Sequence, residues 1–145
     1  MRKLLLADDD MDDCLFFQEA IDELELSINV TVVKDGVVLM DFLKCESVDL
    51  PDVLFLDLNM PRKSGFECLS EIKQLDSLKE MPVIIFSTSF DLDVINKLYD
   101  NGAHYYIRKP GDFEILKKII FEASKLLANN KIEQPERKDF IVDCR

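Results

Sequence analysis

Three stretches of this chain are apolar almost without a break: Leu4-Leu5-Leu6-Ala7, Val53-Leu54-Phe55-Leu56 and Pro82-Val83-Ile84-Ile85-Phe86. None alternates apolar with polar residues, so each reads as a strand covered on both faces. The segments between them have another period. From Asp12 to Leu24, apolar residues fall at Cys14, Phe17, Ile21 and Leu24, the spacing of a helix face. Residues 37–43 also read as a helix, after the turn pair Asp35-Gly36. Ser64 and Glu67 form a capping box for a helix running to Leu75. Asp91 to Asp100 carries the thin stripe Leu92, Ile95 and Leu98 and is stopped by Asn101-Gly102. Asp112 caps a last helix that buries Phe113, Leu116, Ile119, Ile120, Ala123, Leu126 and Leu127. Two further strands, residues 29–33 and 104–107, are more polar.

Five strands alternating with five helices require crossover connections and hence a parallel sheet. The polar strands, second and fifth, belong at the edges. An α/β doubly wound five-stranded parallel sheet in the order 2-1-3-4-5, the flavodoxin-like arrangement with five flanking helices, satisfies both conditions. The 145 residues suit one domain. We expect it to span residues 1–129, followed by a charged C-terminal tail, 130–145, which contains Pro135 and the apolar patch Phe140-Ile141-Val142.

Net charge is −11, which argues against nucleic acid as a partner and suits basic partner surfaces or a bound cation. No apolar stretch approaches the ~20 residues of a membrane span, and the apolar start is too short for a signal peptide. The protein is expected to be cytoplasmic, with no membrane partner. Cys14, Cys45, Cys68 and Cys144 form no CxxC pair, and His104 is the one histidine. A Cys/His zinc site is therefore poorly supported, and the cysteines read as reduced packing thiols, Cys144 exposed. His104 reads as a packing or surface residue.

In such a sheet, sites lie at the carboxyl ends of the strands, where the strand order reverses. Strand one ends in Asp8-Asp9-Asp10, strand three in Asp57, strand four in Ser87-Thr88-Ser89, and strand five in Arg108-Lys109-Pro110. Clustered carboxylates repel unless a cation neutralises them, and hard oxygen ligands favour Mg²⁺. Asp9, Asp57 and the Asn59 backbone carbonyl are the natural ligands, with Asp8 acting through a water. A lysine, a hydroxyl and Mg²⁺ also stabilise a transferring phosphoryl group, and a carboxylate attacking phosphorus becomes an aspartyl phosphate. Taken singly, each signal has an ordinary reading: Asp8 to Asp13 as a helix-start charge cluster, Lys109-Pro110 as a turn, Ser87 as a loop hydroxyl. Their conjunction is the specific signal.

These residues resemble the receiver domain of two-component response regulators. The signature is Leu6-Ala7-Asp8-Asp9-Asp10, Leu56-Asp57-Leu58-Asn59-Met60-Pro61, Gly65, Ile85-Phe86-Ser87-Thr88 and Lys109-Pro110, within about residues 2–128. The chain looks like a small stand-alone receiver of the chemotaxis-regulator kind. Its longer stretch, Gln74 to Glu80, resembles the subgroup that includes phytochrome-partner regulators. The resemblance implies that Asp57 accepts a phosphoryl group from a sensor histidine kinase or a histidine phosphotransfer protein. It implies that Asp8 and Asp9 form the acidic pocket and that Lys109 pairs with the phosphate. Ser87 would be the switch hydroxyl, and Tyr106 an aromatic switch that moves inward on phosphorylation. The bond before Pro110 is expected cis. The chain would have no separate substrate, only Mg²⁺-assisted self-phosphorylation and self-dephosphorylation. The signal would leave through the 91–100 helix, strand five and the last helix, where Val94 and Tyr99 are expected exposed, to a downstream protein or a homodimer. Phe90 and Gly111 have no assigned role. Two rivals stand beside this: a haloacid-dehalogenase-like Mg²⁺-dependent phosphatase, which wants an acid where Asn59 stands, and a degenerate receiver acting as a scaffold.

Overall fold

The computed structural model describes residues 2–45, 47, 49–128 and 133–142, with 126–128 described by backbone alone. The strands are β1 (Arg2–Ala7), β2 (Ile28–Val33), β3 (Val53–Leu56), β4 (Val83–Ser87) and β5 (Tyr105–Arg108). The helices between and after them are α1 (Met11–Glu23), α2 (Gly36–Lys44), α3 (Gly65–Gln74), α4 (Leu92–Asp100) and α5 (Phe113–Ala128). A short sixth strand, β6 (Ile141–Val142), follows a 3₁₀ turn at Arg137–Asp139. All neighbouring strands pair in parallel, in the order β2-β1-β3-β4-β5-β6.

The expected five-stranded sheet therefore needs correction to six strands. β5 is not an edge, because Tyr106 pairs with Ile141 and Ile107 with Val142. The apolar Phe140-Ile141-Val142 patch supplies the reason. Phe140 is fully buried, and its carbonyl accepts a bond from the Tyr106 backbone N–H at 3.0 Å. An unpaired β5 edge is thereby satisfied by the chain's own later residues.

Alternating strand residues build two cores. One face sends Leu4, Leu6, Val53, Phe55, Ile84, Phe86 and Ile107 toward α1 and α5. There Phe17, Phe55 and Phe86 meet edge-on, with ring centres 5.2–5.9 Å apart. The other face sends Leu5, Ala7, Leu54, Leu56, Ile85 and Tyr106 toward α2, α3 and α4, and Phe140 completes this layer. The continuous apolar runs follow from this two-sided cover. His104 is buried, and its Nδ1 accepts from the Val83 N–H at 3.2 Å, a packing role. Cys14 and Cys68 are buried and Cys45 is exposed, whereas Cys144, Leu126 and Leu127 lie outside the described side chains.

The two caps expected from the sequence are present: Ser64 and Glu67 bond reciprocally, and Asp112 Oδ1 accepts from the Ile115 N–H at 3.0 Å. Asp10, Asp35 and Asp91 also accept from first-turn N–H groups. The stripe of α4 is thinner than expected: Ile95 and Leu98 are buried, but Leu92 is 55% exposed. Gly102, at φ +95°, ends that helix.

One glycine joins the fold to the strand-end acids. A Cβ on Gly65 would stand 2.2 Å from the Asp57 carbonyl oxygen, and its N–H bonds the Leu58 carbonyl at 2.9 Å. The neighbour is backbone and cannot swing away, so α3 starts against the β3 exit only because a Cβ is missing. Gly65→Ala is expected to cost more than ~2 kcal/mol of unfolding free energy in chemical denaturation. A loss within ~0.5 kcal/mol would show that this close approach is not required.

Candidate functional site: a carboxylate cluster around one lysine

The parallel ladder aligns the strand ends. The Asp8 N–H bonds the Val33 carbonyl at 3.0 Å, and the Asp57 N–H bonds the Ala7 carbonyl at 2.9 Å. The Lys109 N–H bonds the Ser87 carbonyl, also at 2.9 Å. Residues 8, 57 and 109 are therefore each placed by the first backbone bond beyond a strand, and Ser87 is the last residue of β4, paired with Arg108. Side-chain oxygens of Asp8, Asp9 and Asp57 lie within 4.8 Å of one another. Asp8 and Asp57 are buried, and Asp9 is exposed.

The Lys109 ammonium sits among them, 2.6 Å from Asp8 Oδ2, 2.9 Å from Asp13 Oδ2 and 3.4 Å from Asp57 Oδ2. Burial pulls this ammonium down, but the close Asp8 and Asp13 carboxylates and the charge of Asp57 outweigh it and hold it above the ordinary lysine range. Asp57 shows the opposite balance. Burial pushes its carboxyl up to about 6, Lys109 opposes the rise, and Asp8 adds to it. Asp8 Oδ2 makes the ion pair but accepts no well-directed hydrogen bond, so part of its lone-pair capacity is unmet in a buried place.

These are the donors a hard divalent cation takes: three carboxylates with oxygens close together, one of them incompletely bonded. Asn59 enters through its backbone, its N–H donating weakly to Asp57 Oδ1 at 3.4 Å. Asp13 was not singled out in the sequence. It stands in the first turn of α1, where its N–H binds the Asp10 cap and its side chain reaches Lys109. A helix-start acid is ordinary, and only the tertiary approach of β5 separates Asp13 from Asp12.

Ser87 is fully buried, its hydroxyl 2.9 Å from the Ser89 hydroxyl, and it accepts from the Ser89 N–H at 3.4 Å. Tyr106 is already inside, 1% exposed, with its hydroxyl donating to the Ser89 carbonyl. The ring thus already occupies the inward position that the resemblance assigns to the phosphorylated state, held there by Phe140, Phe90 and Ser89. The Lys109–Pro110 peptide is trans rather than cis, the lower-energy isomer for such bonds. Val94 and Tyr99 are half-buried, and Tyr99 is engaged by the C-terminal segment. Phe90 gains a role as a partly exposed ring against Tyr106 with the Arg108 guanidinium 5.6 Å above it. Gly111 has open space around it.

The sequence matches the response regulator receiver domain over residues 4–121. The chain belongs to the response regulator receiver family. A relative of similar length is the response regulator Rcp1 of Synechocystis, 31% identical over 121 residues, covering 81% of this chain and 82% of its own. A probable methanogenesis regulatory protein, FilR2 of Methanothrix harundinacea, is 30% identical over 122 residues, 82% of this chain and 79% of its own. Among solved structures, the phosphorylated cyanobacterial phytochrome response regulator RcpA superposes with a TM-score of 0.81 at 33% identity, over 89% of this chain and 95% of its own. The Mn²⁺-bound form of Rcp1 gives 0.78 at 28% identity, over 93% and 99%. The receiver is therefore a signalling module of two-component systems rather than a haloacid-dehalogenase-like phosphatase. Among the described residues, no helix is long and apolar enough to cross a membrane.

The raised Asp57 carboxyl carries a consequence for stability. A proton is held more tightly in the folded chain than at the ordinary 3.8, so metal-free stability falls as pH climbs from about 4 to about 6. The isosteric, uncharged Asp57→Asn should stabilise the metal-free chain at pH 7.5 by on the order of 2–3 kcal/mol, with the advantage vanishing below pH 4. Urea unfolding across that range, in EDTA, checks it. A destabilised variant at pH 7.5 would mean that Lys109 more than repays the burial of the Asp57 charge.

Proposed function

We propose that Asp57 is the phosphoryl acceptor of this response regulator, taking the group from a sensor histidine kinase or a histidine phosphotransfer protein. The observation that supports it most is the position of the Asp57 carboxylate: buried at the end of β3, 3.4 Å from an ammonium that is drawn more closely to Asp8 and Asp13. That lysine is not committed to Asp57. It can turn to an incoming phosphoryl oxygen while Asp8 passes its charge to a cation.

In this reading an Asp57 oxygen forms the new bond to phosphorus as the bond to the donor histidine nitrogen breaks, and that nitrogen keeps the electron pair. Lys109 pairs with a phosphoryl oxygen, and the Ser87 hydroxyl leaves Ser89 to donate to another. Asp8, Asp9, Asp57 and the Asn59 carbonyl would hold Mg²⁺, Asp8 through a water. When bound, Mg²⁺ supplies positive charge that offsets the clustered carboxylates and the charge developing on the transferring group. The Mn²⁺-bound state of Rcp1 supports a divalent cation in a chain of this fold. Attack of water on phosphorus as the Asp57 O–P bond breaks would return the carboxylate and release inorganic phosphate, a slow self-dephosphorylation with no separate substrate. The likeness to phytochrome response regulators supports a sensor kinase as donor. The state of Asp57 would be read through α4, β5 and α5 by a downstream protein or a second copy of the chain. The cytoplasm is the matching location, with neither nucleic acid nor membrane as partner. Residues 1–129 would be the receiver proper, with 130–145 an extension of it.

The test uses acetyl phosphate as a small donor. Intact-mass and peptide mapping should show one phosphoryl group, on Asp57, when Mg²⁺ is present and none in EDTA. Asp57→Asn should carry none, and Lys109→Ala should be labelled at least ~10-fold more slowly. Label that persists in Asp57→Asn would remove Asp57 as acceptor, and an unlabelled wild-type chain would favour the scaffold reading.

A further inference from the structure

The Lys109 ammonium has three N–H donors and meets three carboxylates with them. Those carboxylates differ in what else they are fitted to do. Asp8 and Asp57 are buried and belong, with Asp9, to the oxygen cluster that suits a divalent cation. Asp13 is not part of that cluster. Its backbone N–H is fixed by the Asp10 cap at 3.1 Å, so it stands on a settled first turn of α1. A loaded site makes demands on Asp8 and Asp57 and none on Asp13.

The ammonium has few other places to go. The Lys109 side chain is 8% exposed, so it is not free to turn out into water. The Phe86 ring lies beside it, its centre 5.8 Å from Nζ. The space enclosed by Asp13, Phe16, Phe86, Lys109, Pro110 and Leu116 is about 10 Å³, at the lower limit for one water. The distances also have an order. Nζ is 2.9 Å from Asp13 and 3.4 Å from Asp57. An ammonium seated closely on Asp57 would occupy the lone pairs with which that carboxylate attacks phosphorus.

We propose that Asp13 is a positioning residue for Lys109 in phosphoryl transfer: it is the partner the ammonium keeps when Asp8 and Asp57 are engaged. The proposal rests on Asp57 being the acceptor. Before transfer, Asp13 helps to hold the ammonium back from the Asp57 oxygens. As an Asp57 oxygen bonds to phosphorus and the donor's bond to phosphorus breaks, the N–H groups released by Asp8 and Asp57 turn to a phosphoryl oxygen. The remaining N–H stays on Asp13 and keeps Nζ at the β3 exit. Asp13 also brings negative charge toward an anionic donor. That carboxylate is 38% exposed, so solvent screens its charge, whereas its hydrogen bond acts at contact. Positioning is the larger effect.

Labelling of the full chain by acetyl phosphate with Mg²⁺, followed by intact mass, tests this. In that reaction the P–O bond to acetate breaks and acetate leaves with the electron pair. Asp13→Ala, a substitution that suits a half-exposed helical position, should be labelled at least about fivefold more slowly than wild type, the scale of one lost hydrogen bond. Asp13→Asn keeps an acceptor oxygen in the same place and should stay within about twofold of wild type. In a Lys109→Ala background, Asp13→Ala should cause no further loss, because its effect passes through the lysine. Calorimetry should show unchanged Mg²⁺ affinity in both Asp13 variants. Asp13→Ala labelled as fast as wild type or faster, Asp13→Asn as slow as Asp13→Ala, or losses that add in the double variant would each overturn the positioning role while leaving Asp57 as acceptor. Mg²⁺ affinity falling in step with the rate would overturn it as well, by making Asp13 a cation ligand. An unlabelled wild-type chain would instead overturn the acceptor reading, and the role of Asp13 with it.

Discussion

One ammonium facing three carboxylates is the constraint around which this receiver is arranged. Lys109 contacts Asp8, Asp13 and Asp57 within 3.4 Å, and Asp9 stands close by, in no ion pair among the described residues. Such an arrangement is short of positive charge by design of its residues. It can be relieved by protonation, by a divalent cation, or by a lysine that moves between partners. The first shows in Asp57, whose proton is held up to about pH 6. The second and third are what acceptance of a phosphoryl group requires. Burial by two apolar layers makes the shortage costly, because water cannot screen it. The fold and the electrostatics are in this sense one problem, and the continuous apolar strands are what keep the acids Asp8 and Asp57 at their ends buried rather than merely solvated.

Much of this was legible in the sequence because it depends on local patterns. Uninterrupted strands specify a two-sided parallel sheet, helical spacing specifies the cover, and the strand order places Asp8, Asp57, Ser87 and Lys109 on one edge. Two helix caps, Ser64 with Glu67 and Asp112, are chemical signatures, and the structure uses both. What escaped is what depends on long-range approach. Asp13 looks like any first-turn acid until Lys109, 96 positions later, comes to it. The sixth strand escaped for a related reason. Two residues, Ile141 and Val142, are too few to show a period, and the dense charge around them reads as tail. Their pairing with β5 is decided by the buried ring of Phe140, not by strand propensity. Tyr106 reads in the sequence as an aromatic switch that moves inward, and what the sequence does not show is that Phe140, Phe90 and Ser89 already hold it in that inward seat.

The two faces of the sheet divide the labour. On the α1 and α5 side, edge-on Phe17, Phe55 and Phe86 make a layer with no polar insertion among the rings. On the α4 side, Tyr106 brings a hydroxyl into the layer and α4 contributes only Ile95 and Leu98 fully. A helix held by so few buried residues shifts at lower cost than its neighbours. Polar bonds in place of apolar cover make that side the one able to rearrange when charge at the strand ends changes.

The central claim is that the strand-end acids form a cation-dependent site. Isothermal titration of the full chain with Mg²⁺ at pH 7.5 measures it directly, with Asp9→Asn as the comparison because Asp9 is exposed and makes no ion pair among the described residues. One Mg²⁺ should bind per wild-type chain, and the Asp9→Asn isotherm should be flat at the same concentrations. Equal binding by both chains, or none by wild type at millimolar Mg²⁺, would contradict the account.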